Sequence, residues 1–69
     1  MKITAFATEQ PELRAGIRNL VARYQQNYPD ITLEFIDPDK DPARVRAANV
    51  RVDGELVVEY GGRKENLGQ

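Results

Sequence analysis

The chain has no cysteine, no histidine, no serine and no tryptophan in 69 residues. Without cysteine there is no disulfide, no thiolate nucleophile and no cysteine-based zinc site. Without histidine it lacks the side chain that most often moves protons near neutral pH. Hydroxyl nucleophiles reduce to Thr4, Thr8, Thr32 and three tyrosines, with no histidine to activate them. Acid–base work would fall to Asp, Glu and Lys alone. That is a thin inventory for an enzyme, and the expectation is a domain with no catalytic, cofactor or metal site. Long apolar runs are missing too: none exceeds three residues, as in Leu56 to Val58, so no segment spans a bilayer. The opening MKITAFATEQ lacks the apolar core of a signal peptide. Neither sign of charge dominates, with 10 Lys and Arg against 11 Asp and Glu and a pI of 5.3, so no general field gathers nucleic acid or acidic membrane.

What is present suits one small globular domain over residues 1–69, with 41% hydrophobic and 30% charged residues. KITAFAT alternates, Ile3, Ala5 and Ala7 against Lys2, Thr4 and Phe6, which predicts a first strand. Pro11 then suits a first helical turn, with Thr8 or Gln10 as the cap and Glu9 and Glu12 beside the positive end of the dipole. Leu13, Ile17, Leu20, Val21, Tyr24 and Tyr28 form a stripe about 100° wide, predicting a helix from Pro11 to about Tyr28 that Pro29 ends. The two tyrosines, on this stripe, are expected at the core or its boundary. ITLEFID reads as a second strand, joined to the first as a parallel unit. PARVRAAN gives about two helical turns. Further on, Leu56, Val58 and Tyr60 share a strand face, and Gly61-Gly62 turns the chain into a short strand near Arg63 to Leu67. Asp53-Gly54 is a second turn signal, which leaves the pairing of Val50 to Val52 open. The order is β-α-β-α-β-β, with the long helix packed on the apolar faces of the first three strands.

DPDKDPARVRAA, Asp37 to Ala48, looks most like chemistry. Asp37, Asp39 and Asp41 match the first, third and fifth positions of a calcium loop. Pro42 stands where the loop needs glycine, and Ala48 where it needs a bidentate glutamate. A turn explains every residue: Asp37-Pro38 leaves the strand, Asp41 caps the helix and Pro42 is its first residue. A calcium-binding module on Asp37, Asp39 and Asp41 is the alternative function. Arg14, Arg18 and Arg23 in the first helix, and Arg44, Arg46 and Arg51 after it, are too dispersed for nucleic acid and read as a solvated charged face. Gly61-Gly62 lacks the spacing of a phosphate loop.

FIDPDKDPARVRAANVRVDGELVVEYGGRKENL resembles the thioredoxin-like succession of strand, acidic turn, short helix and hydrophobic strand ending in a glycine turn. The resemblance implies a mixed four-stranded sheet in the order 2-1-3-4. ATEQPELRAG, where thioredoxins carry a redox cysteine pair, has no cysteine, and their cis-proline falls near Gly54, so what carries over is fold without redox chemistry. ITAF, EFIDPDKDP and VVEYGGRKE also resemble the soluble region of auxiliary components of ABC-type transport systems, the gliding-motility (GldG-like) family. That resemblance implies a non-catalytic scaffold domain, part of a membrane-anchored parent whose soluble portion lies outside the cytoplasm. Its partners would be permease or ATPase subunits or other parts of the parent, with self-association as a further option. Thioredoxin-like domains end in a helix laid on the sheet, which is missing here after the last strand. The face bearing Phe6, Ile36 and Val57 is therefore expected to be under-covered and to pack against another chain or later sequence.

Overall fold

A computed structural model describes residues 1–67; residues 68 and 69 of the expected single domain lie outside the described residues. The elements are β1 (Lys2–Phe6), α1 (Pro11–Asn27), β2 (Thr32–Ile36), α2 (Pro42–Ala47), β3 (Glu55–Tyr60) and β4 (Arg63–Leu67). They form an α/β fold around one mixed sheet in the order β2-β1-β3-β4, as expected. β1 pairs parallel with β2, Ile3 beside Leu33 and Ala5 beside Phe35. The β1–β3 and β3–β4 pairs are antiparallel. Val50 to Val52 does not join the sheet; Gly54, at φ +89°, donates its N–H to the carbonyl of Phe6 at 2.8 Å and closes the end of β1. Gly61 and Gly62 have φ of +54° and +80°, the left-handed values a two-residue turn of type I′ requires at both positions.

Each sheet face has its own core because side chains alternate along a strand. Ile3, Ala5, Ala7, Leu56 and Val58 meet Ile17 and Val21 of α1, with Leu13, Leu20, Leu33 and Phe35 around them. Phe6, Ile36 and Val57 form a second cluster under Val45, Ala48 and Val50. This corrects the sequence expectation: Phe6, Ile36 and Val57 are buried, with exposures of 3%, 7% and 4%, and what stays open on this face is a mixed polar and apolar depression of about 300 Å³ between α2 and β3–β4. Six helical residues suffice because the chain leaving α2 folds back over the sheet. Asn49 takes φ +55° and donates its N–H to Arg46 O at 3.2 Å, while Val50 N–H donates to Val45 O at 3.1 Å. This is a Schellman ending, and it sets Val50 beside Val45 over the cluster.

The tyrosines also depart from expectation. Tyr24 is 52% exposed and Tyr28 61%. The cause is length: α1, with 17 residues, runs about 26 Å, whereas the five-residue β1 and β2 run about 17 Å. The helix outruns its sheet, so the last turns of the apolar stripe have little to pack on.

Candidate functional site

The aspartate stretch folds as turn and cap. Asp37 Oδ1 accepts the N–H of Asp39 at 2.9 Å, and Asp37 O accepts the N–H groups of Lys40 and Asp41, both at 3.1 Å. Asp41 accepts the N–H of Arg44 at 3.3 Å, with Pro42 opening the helix. The three carboxylates do not converge; among the described residues no three His, Cys, Asp or Glu side chains gather where an ion would be held. The described residues form no helix long and apolar enough to cross a membrane.

Of the two capping options, the helix takes Gln10, whose carbonyl accepts the N–H of Arg14 at 3.0 Å. Gln10 occupies the cap position without bonding the helix through its side chain. Asp53, from the loop before β3, accepts instead from Thr8 N (2.9 Å), Thr8 Oγ1 (2.7 Å) and Gln10 Nε2 (3.3 Å). The hydroxyl and amide of Thr8 hold the Asp53 carboxyl below its ordinary value of 3.8. Nothing local to Asp53-Gly54 signals a partner 45 positions away. Asn66 is a second long-range tie: its amide donates to Glu55 Oε2 at 2.6 Å and to Ala48 O at 2.8 Å, joining β4 to the end of α2. Glu55 is buried and also accepts the N–H of Arg51 at 3.2 Å, so its carboxylate is satisfied by donors rather than by an ion pair.

Two of the three arginines of α1, Arg14 and Arg18, are more engaged than a solvated face requires. Arg14 donates from Nη2 to Ala7 O at 2.9 Å and from Nε to Thr8 O at 3.2 Å. Its guanidinium lies 5.0 Å from the centre of the Phe35 ring and that of Arg18 lies 5.7 Å from it, within cation–π range. Across the sheet, Glu34 meets Lys2 at 3.1 Å and Arg44 at 3.8 Å. The Lys2 ammonium, seconded by Arg44, lowers the Glu34 pKa.

Among the described residues, the opening richest in apolar surface lies beside α1, over β3 and β4. A groove of about 440 Å³ has Leu20, Tyr24 and Tyr28 on one wall, Leu56 in its floor, and Met1 and Leu67 at its ends. Met1 and Leu67 are each 48% exposed. The described side chains of the lining offer aliphatic and aromatic surface with the two phenolic hydroxyls. It can bury an apolar partner. No family model, curated protein or solved structure matches the chain.

Proposed function

We propose that this domain is a non-catalytic interaction scaffold that receives an amphipathic helix of a partner in the groove beside α1. The observation that carries this reading is the exposure of Met1, Tyr24, Tyr28 and Leu67 around one apolar depression. Its width fits the occupant. Four strands at about 4.8 Å spacing make a face roughly 19 Å across, and one helix about 10 Å wide covers half of it. With α1 over one half, the space over β3 and β4 takes one more helix at ordinary packing distance. Such a helix would present leucine-like residues every three or four positions.

The resemblance of ITAF, EFIDPDKDP and VVEYGGRKE supports placing this scaffold in an auxiliary component of an ABC-type transport system, on a thioredoxin-like fold without redox cysteines. In that setting the helix belongs to a permease or ATPase subunit or to another part of the anchored parent, and the domain stands outside the cytoplasm.

Anilinonaphthalene sulfonate, a dye that brightens on apolar surface, tests the groove. The folded protein is expected to enhance its fluorescence, and Leu67→Lys to remove most of that enhancement with circular dichroism unchanged. An equal enhancement from both proteins would refute the groove as the docking surface. A photo-crosslinking residue at position 24 tests the setting: in cells it should join the domain to a transporter subunit or to its own parent chain. Adducts confined to soluble proteins unrelated to transport would refute that assignment.

A further inference from the structure

The two edges of the sheet are unlike. β4 is RKENL, exposed at every position and charged or polar at all but Leu67, a composition that discourages another strand. β2 is TLEFI, β-branched and aromatic, with no proline or lysine to block pairing. Its hydrogen bonds to β1 fix which backbone groups are free. Thr32 N–H donates to Met1 O at 3.0 Å, and Ile36 O accepts from Ala7 N–H at 3.0 Å. In a parallel ladder, alternate residues direct both backbone groups to the same neighbour, so Thr32, Glu34 and Ile36 serve β1. Leu33 and Phe35 therefore point their N–H and C=O groups away from the sheet, where no strand of the described residues lies.

Cations flank this open edge on both faces. Arg14 and Arg18 stand over Phe35 on the α1 side, and neither is salt-bridged among the described residues. Lys2 and Arg44, on the other side, share the single carboxylate of Glu34. Four positive groups stand beside five residues of strand, against Glu34 within it and Asp37 just after it; Arg14 also gives two donors to Thr8 O and Ala7 O and acts on the Asp53 carboxylate, so Arg18 is the less committed cation of the α1 face.

We propose that the β2 edge binds an acidic extended segment of a partner protein, which adds as a fifth strand on Leu33 and Phe35 and sets carboxylates beside Arg14 and Arg18. In an antiparallel register, two segment residues spaced by two meet Leu33 and Phe35 and exchange four backbone hydrogen bonds with them. Their side chains lie on the α1 face, level with the two guanidiniums. Backbone pairing supplies the docking and charge selects the sequence. A second copy of this chain is a poor occupant. Antiparallel pairing of β2 with itself about Glu34 opposes two glutamates and crowds four arginines onto one face. This edge lies across the sheet from the groove beside β3 and β4, and its proposal does not depend on the groove.

The probe is a fluorescent acidic peptide, TEVEVET, with TQVQVQT as its uncharged counterpart, titrated into isotope-labelled protein. The acidic peptide is expected to shift and protect the amides of Leu33 and Phe35, and to bind less tightly as salt rises. Arg18→Glu, at an exposed position, should weaken binding about fivefold or more. Tyr24→Lys should leave it unchanged, which separates this edge from the groove. Equal binding of the glutamine peptide, shifts centred on β4, no binding at about millimolar peptide, or protection of β2 by dimerisation of the protein alone would each overturn the proposal.

Discussion

The two faces of this sheet are covered by opposite means. On one, a helix of 17 residues gathers eight buried core residues and still leaves apolar surface open at its far end. On the other, a helix of six residues buries a cluster of three and leaves a smaller, more polar depression, because hydrogen bonds finish the work. Asp41 caps the helix start, Asn49 and Val50 close its end, and Asn66 ties that end to Glu55 and β4. The lesson is that helix length does not measure coverage. A long helix buries a stripe and can overrun the sheet, whereas a short one buries a cluster when its ends are tied to neighbouring strands.

This contrast can be broken most directly at Phe6. Phe6→Ala removes the largest side chain of the small cluster and should cost about 4 kcal/mol by urea unfolding, a large part of the stability of a domain this size. A loss below about 1 kcal/mol would mean that the Phe6 cluster is open after all. Asn66→Ala should come next, at about 2 kcal/mol, because it strips the buried Glu55 carboxylate of its side-chain donor. Asp41→Ala should cost about 1 kcal/mol through loss of the cap. Tyr24→Lys, on the opposite side, should change stability by less than about 0.5 kcal/mol because half the side chain is already in water.

The smallest effect concerns pH. The Asp53 carboxyl titrates below its ordinary 3.8 in the folded protein because Thr8 donates twice to its charged form. A depressed carboxyl contributes stability above its unfolded pKa and loses that contribution as pH falls through the lower, folded value. Wild type should therefore exceed Asp53→Asn in melting temperature above about pH 4, with the gap closing in stronger acid. A gap that persists unchanged in strong acid would remove Asp53 as the latch between β1 and the loop before β3.

Local patterns made the element order legible. The alternation of KITAFAT, the stripe from Leu13 to Tyr28, Asp41-Pro42 and Gly61-Gly62 each act within a few residues, and the observed strands, helices and turn follow them. Long-range geometry was not legible. The stripe gives the apolar direction of Tyr24 and Tyr28 but not whether strands reach beneath them. That became apparent only from setting helix length against strand length. Arg14 falls about 20° beyond the stripe at the helical pitch, near enough to fold onto Phe35 and the carbonyls of Ala7 and Thr8. Reading it as plainly solvated overlooked that margin. Burial of the Phe6 cluster depended on Asn49 taking a left-handed conformation, which asparagine tolerates without announcing it.

Nuclear magnetic resonance of the labelled protein, titrated with anilinonaphthalene sulfonate, is the sharpest examination of the uncovered side. Shifts should concentrate at Leu20, Tyr24, Tyr28, Leu56 and Leu67, with the amides of Phe6, Ile36 and Val57 unmoved. Shifts centred on those last three residues, or no saturable response anywhere, would contradict an open apolar groove beside α1 and the scaffold role built on it.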